Sequence, residues 1–132
     1  MKASDYKLTA KEAEEQEALF EWAARLEGKY PDLKWMYHIA NGEKRDKATA
    51  AKLQRMGVKS GVLDIFLPVA VNGFHGMYVE MKRLRGGVLS QEQLDWIDHL
   101  MRQGYYVLSC KGWEDASRHI ELYLSGKIRR GA

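Results

Sequence analysis

Three charged side chains, Asp64, Glu80 and Lys82, stand inside stretches that otherwise read as buried strands. Residues 61–68 run Gly-Val-Leu-Asp-Ile-Phe-Leu-Pro and residues 76–82 run Gly-Met-Tyr-Val-Glu-Met-Lys. Both are short, apolar, rich in β-branched and aromatic residues, and bounded by glycine or proline. Side chains two apart on a strand share a face, so Glu80 and Lys82 point the same way, roughly 7 Å apart at about 3.3 Å per residue. If the two strands pair through a turn at Asn72-Gly73, Asp64 reaches the same place. Two carboxylates and a lysine then converge on one end of a small sheet. Burying three charges is costly unless they pair or hold a metal. The bland alternative is a salt bridge in which Lys82 neutralises Glu80 while Asp64 sits in water.

The elements around these residues can be followed along the chain. Residues 1–8 are expected to be loose. Thr9-Ala-Lys-Glu12 reads as a capping box opening a helix whose apolar positions are Leu19, Phe20, Trp22, Ala23 and Leu26, closed by Gly28 and Pro31. Glu12 has two readings, as the N3 residue of that cap or as an inward carboxylate able to join Asp64; the pattern alone favours the cap. Lys34 to Ile39 reads as a strand, with His38 a hydrogen-bonded side chain and not a metal ligand. Asn41-Gly42-Glu43-Lys44-Arg45 is a turn and basic loop. Residues 46–56 look helical, with Gly57 beyond the helix end. After Lys82, Arg83-Leu84-Arg85-Gly86-Gly87 is a basic connector. Ser90 and Gln93 form a capping box for a helix with Leu94, Ile97, Leu100 and Met101 on its apolar face, ended by Gly104. Tyr105 to Ser109 is a strand, parallel to the 77–82 strand because a helical crossover joins them. A last helix packs Ala116, Ile120 and Leu124 inward, and the tail from Gly126 is expected to be mobile. The expected fold is α/β, a central mixed β-sheet flanked by helices on both faces.

Bulk properties narrow the function. A chain of 132 residues with 45% hydrophobic and 30% charged residues is expected to form one globular domain, with a core over about residues 9–125. The net charge of +3 does not by itself demand nucleic acid, but residues 41–60 hold six basic and two acidic side chains. A basic block beside a carboxylate site suits a phosphate backbone; taken alone it is also what a solvated helix face looks like. The single cysteine, Cys110, leaves no disulfide framework and no cysteine-based zinc site to be expected, and reads as a small buried residue. No signal peptide is visible and the longest apolar run, from Val62 to Val71, is too short to span a membrane, so a cytoplasmic location and no membrane partner are expected.

The ordered blocks resemble the VRR-NUC branch of the PD-(D/E)xK nuclease superfamily, in the small stand-alone form of phages and bacteria. They are Glu-Ala-Glu-Glu-Gln with Leu-Phe-Glu-Trp at 12–22, Asn-Gly-Glu-Lys-Arg at 41–45, Met-Gly-Val-Lys-Ser-Gly-Val-Leu-Asp at 56–64, Gly-Met-Tyr-Val-Glu-Met-Lys at 76–82, and Leu-Ser-Gln-Glu-Gln-Leu-Asp-Trp at 89–96. The resemblance implies a restriction-endonuclease-like fold and metal-dependent hydrolysis of DNA phosphodiesters, leaving 5′-phosphate and 3′-hydroxyl ends. It implies metal ligation by Asp64, Glu80, the backbone carbonyl of Met81 and Glu12, which raises the weight of a catalytic Glu12. Lys82 would activate water or hold charge on the phosphate, and Gln93 would orient the lysine or the DNA. Asn41, Lys44, Arg45, Lys59, Arg83 and Arg85 are the expected DNA contacts. Two departures stand out: Leu63 replaces a common proline before the aspartate, and Glu43 replaces a common glycine in a loop expected to meet phosphate.

The residue types agree with this chemistry. A hard ion such as Mg²⁺, or Mn²⁺, takes oxygen ligands and keeps waters, and the chain offers no paired histidines for a softer one. The expected activity is a structure-selective endonuclease acting on junctions or flaps, with a homodimer placing two sites on two strands of a Holliday junction. The alternative is a non-catalytic module that holds DNA or a partner on a nuclease fold. A third reading, an unrelated α/β domain with a coincidental ion pair, predicts no affinity for DNA.

Overall fold

The computed structural model describes residues 3–40 and 46–131, with side chains from residue 11 onward. Among the described residues four α-helices and four strands follow in the order α1 (Ala3–Leu26), β1 (Tyr37–His38), α2 (Lys47–Arg55), β2 (Ile65–Leu67), β3 (Met77–Lys82), α3 (Gln91–Arg102), β4 (Tyr106–Lys111) and α4 (Trp113–Leu124). The strands form one mixed sheet in the order β1-β2-β3-β4. β1 and β3 both run antiparallel to β2, and β4 runs parallel to β3 across the α3 crossover. This is the mixed α/β sheet with helices on both faces that the sequence pattern predicts.

Strand alternation divides the core. Met77, Val79 and Met81 of β3 face α1 and α4, joining Leu19, Trp22, Ala23, Ala116, Ile120 and Tyr123 in a large apolar cluster. The buried Tyr123 hydroxyl is satisfied by donating to the Val69 carbonyl, 2.6 Å away. On the opposite face Tyr78 and Val107 join Leu63, Trp96, Ile97, Leu100 and Tyr105 in a smaller cluster under α3. Leu94 and Met101 of α3 are exposed, so the apolar stripe of that helix is narrower than its sequence suggests. α2 buries no residue; Asp46 caps it by accepting from Thr49 N at 2.7 Å.

Several local expectations are corrected. Helix α1 starts at Ala3, so Thr9 to Glu12 is helix interior and not a cap. No glycine or proline interrupts residues 3–26, and a potential capping box does not end a helix that can extend past it. The predicted 34–39 strand shrinks to Tyr37–His38, because Pro31 opens a 3₁₀ helix over Pro31–Trp35 that buries Leu33. The tail after α4 is docked. Asn72 Nδ2 donates to the carbonyls of Gly126 (2.6 Å) and Ile128 (3.4 Å), and Arg130 N donates to Asn72 O. Asn72 and Gly73 both have positive φ, 48° and 92°, the geometry of a type I′ turn, closed by a Val71–Phe74 bridge inside the longer β2–β3 connection.

Candidate active site

The register of the sheet brings the charges together. β2 and β3 pair Ile65 with Val79, so one further step sets Asp64 opposite Glu80. Directly opposed side chains have Cβ atoms about 5 Å apart. Asp64 lies just before β2, not within it, and its position is fixed at the backbone. The Asp64 carbonyl accepts from Ile39 N (2.6 Å), and His38 Nδ1 lies 2.8 Å from it. His38 is therefore a hydrogen-bonding support, as the sequence predicts. Asp64 Oδ2 accepts from Met81 N at 2.9 Å, which ties the carboxylate to the next strand.

Glu80 and Lys82 follow on the same face of β3. Lys82 Nζ lies 3.4 Å from Glu80 Oε2. Gln93, from the first turn of α3, joins the two: its Nε2 donates to Glu80 Oε2 at 2.6 Å and its Oε1 accepts from Lys82 Nζ at 3.3 Å. The same Oε1 accepts from Ser90 N (2.9 Å), while Ser90 Oγ accepts from Gln93 N (3.1 Å). The capping box that starts α3 thus also holds the glutamine against the charges. Gly61 lets the preceding loop approach α3. It has φ 84°, and a Cβ there would lie 2.7 Å from the Glu92 carbonyl carbon.

Asp64, Glu80 and Lys82 retain only 8%, 3% and 9% of their exposure. Burial, together with the Asp64 carboxylate beside it, pushes the Glu80 acid up to about 8, and the Lys82 ammonium offsets only part of this. Glu80 Oε1 is buried and meets no hydrogen-bond donor among the described residues. Two crowded carboxylates, one with an unsatisfied oxygen, are what a divalent cation would relieve. The donors available there are all oxygens, which suits a hard ion of the Mg²⁺ or Mn²⁺ type.

The remaining predicted residues are distributed around this centre. Glu12 is half-buried on α1, on the face that also carries the fully buried Leu19. Lys59 and Arg85 are exposed. Arg83 is half-buried, with Nη2 donating to Gly86 O at 2.9 Å, so its guanidinium shapes its own loop. Arg83 and Arg85 line an open groove of about 750 Å³ with Lys11, Glu14 and Glu15. Asn41, Lys44 and Arg45, with Glu43, lie outside the described residues.

One supporting residue was missed. Glu15 Oε2 accepts from Trp113 N at 2.8 Å, across 98 residues. It caps α4, whose own N-cap is Gly112 and offers no side-chain acceptor. That missing cap is the signal in the sequence, although nothing local says which residue supplies it.

Comparison with known proteins bears on the family and the fold. The VRR-NUC domain family model matches residues 10–114. A solved structure described as a VRR_NUC domain protein is similar at 25% identity and a TM-score of 0.74, over 88% of this chain and 89% of that one. No curated protein matches significantly. Among the described residues no helix is long and apolar enough to cross a membrane.

Proposed function

The chain belongs to the VRR-NUC family, a nuclease family acting on DNA, and from that premise we propose that it is a metal-dependent DNA endonuclease selective for branched structures such as junctions or flaps. The observation that carries this reading is the opposed Asp64–Glu80 pair with Lys82 on one sheet face and Gln93 of α3 against them, a buried carboxylate oxygen of Glu80 having no hydrogen-bond donor among the described residues.

Asp64, Glu80 and the Met81 carbonyl would hold a Mg²⁺ or Mn²⁺ ion, with Glu12 as a further ligand. Such an ion, when bound, lowers the pKa of a water and offsets charge on the phosphoryl oxygens. Lys82 holds the attacking water, or the charge developing on the phosphate, from the same strand face. Gln93 keeps the Lys82 ammonium and the Glu80 carboxylate at fixed separation, so neither reorganises when the phosphate arrives. Arg83, Arg85 and Lys59, with Asn41, Lys44 and Arg45, would neutralise backbone phosphates, and binding would weaken steeply with salt.

A single small domain has little surface with which to read a base sequence, which favours recognition of DNA shape. A homodimer would present two sites to two strands, as a Holliday junction requires. A cytoplasmic setting, bacterial or phage-infected, suits this substrate. The test is cleavage of a labelled panel (single strand, duplex, flap, four-way junction) with Mg²⁺ or Mn²⁺. Cutting of branched forms well above linear duplex is expected, and equal cutting of all forms would sink the selectivity. A mass of one chain by light scattering at micromolar concentration would sink the dimer.

A further inference from the structure

A second cluster of metal-ligating side chains lies on the other face of the sheet. Cys110 pairs in register with Met81 and belongs with it to the α1–α4 core. Asp115 and His119 stand one turn apart on α4, just beyond. The Cys110 sulfur, an Asp115 oxygen and a His119 nitrogen all lie within 4.8 Å of one another. We propose that Cys110, Asp115 and His119 form a binding site for a zinc-class divalent cation, separate from the Asp64–Glu80 centre.

The donor set is the first argument. One sulfur, one nitrogen and one oxygen suit a borderline-soft ion such as Zn²⁺, which accepts three protein ligands and leaves a fourth position for water. A hard ion such as Mg²⁺ would be poorly served here and is better served by the all-oxygen site.

Orientation is the second. His119 Nδ1 lies 2.9 Å from the Asp115 backbone carbonyl and 3.3 Å from Asp115 Oδ1, so the ring is already held in place. Asp115 Oδ2 accepts from Lys111 N at 3.2 Å, and Oδ1 accepts from Arg118 Nη2 at 2.9 Å. Ligating side chains are commonly held by such outer hydrogen bonds.

Access is the third. A groove of about 480 Å³, lined by Glu15, Lys111, Trp113, Asp115 and Arg118 among others, meets the cluster at Asp115, and His119 is itself partly exposed. The Arg118 side chain is 69% exposed and can leave Asp115 when a cation takes over as its counter-charge. Cys110 is fully buried, so it does not serve as a free nucleophile. On binding, the S–H bond breaks, a sulfur–metal bond forms, and the proton leaves to solvent. The ion would join the end of β4 to the first turns of α4.

Co²⁺ titration of the chelator-treated full chain tests this, because thiolate ligation gives a sulfur-to-cobalt charge-transfer band that an all-oxygen site cannot give. The wild type and Asp64→Asn should both develop the band, saturating at one ion per chain, and Zn²⁺ should displace it and raise the melting temperature. Cys110→Ser should abolish the band, and His119→Gln or Asp115→Asn should weaken Co²⁺ binding on the order of a hundredfold. His119 and Asp115 are partly exposed, so those two variants remain informative if Cys110→Ser does not fold. Absence of a sulfur band in the wild type overturns the proposal. So does a band of unchanged affinity in both His119→Gln and Asp115→Asn.

Discussion

The two faces of β3 bury their side chains by opposite means. Toward α1 and α4, Met77, Val79 and Met81 are sealed in apolar contact. Toward α3 the same strand presents Tyr78, then Glu80 and Lys82. Tyr78 stacks on Phe66 at 4.4 Å and meets Tyr105 edge-on at 5.2 Å. Glu80 and Lys82 are nearly as buried as the methionines, but they are held by one glutamine and opposed by one aspartate. One face is stable through transfer from water. The other spends stability on a charge arrangement poised for a ligand, the usual cost of a functional site.

Substitutions can break this contrast. Asp64→Asn and Lys82→Ala should each lower metal-dependent cleavage on the order of a thousandfold while leaving the circular dichroism spectrum and melting temperature close to wild type. Met77→Ala should do the reverse: it should cost about 2–5 kcal/mol in denaturant unfolding, and the fraction that stays folded should cut normally. Gln93→Ala belongs to both accounts. Losing one half of the α3 capping box should cost about 1 kcal/mol, and releasing Lys82 and Glu80 should lower kcat about 10- to 100-fold with little change in KM.

The subtlest effect is on pH. The folded state holds the Glu80 acid up near 8, against an ordinary value of 4.5, through burial first and Asp64 second. Folding therefore favours the protonated acid. The stability this contributes is fully present below pH 4.5 and is lost as pH rises through 8. In chelator, the melting temperature of the wild type should fall across that window. Glu80→Gln, which resembles the protonated acid, should flatten the fall, and Mg²⁺ should restore the wild type at pH 8. A wild-type melting temperature that rises between pH 5 and 8 in chelator would contradict the crowding of the two carboxylates.

Much of this arrangement is legible in the sequence because it is local or periodic. The Asn72-Gly73 turn, the parity of Glu80 and Lys82, the Ser90–Gln93 box and the glycines after α2 and α3 are each read within a few residues. The Asp64–Glu80 pairing follows once the hairpin is granted. Long-range partners were not legible. Nothing near Asn72 says that its side chain grips the tail at Gly126, and nothing near Glu15 says that it caps α4. The lone Cys110 gives no sign that β4 and α4 bring it to Asp115 and His119. The 34–39 strand fails for a different reason: a good alternation there is overridden by the 3₁₀ helix that Pro31 starts and the burial of Leu33 secures.

The most direct test of the central claim is cleavage of the best-cut labelled DNA with Mg²⁺ by wild type, Asp64→Asn and Lys82→Ala, with DNA binding measured on the same samples. The account predicts metal-dependent cutting by the wild type alone and binding by all three. A wild type that binds DNA but cuts nothing with Mg²⁺ or Mn²⁺, or variants that cut as fast as wild type, would contradict it.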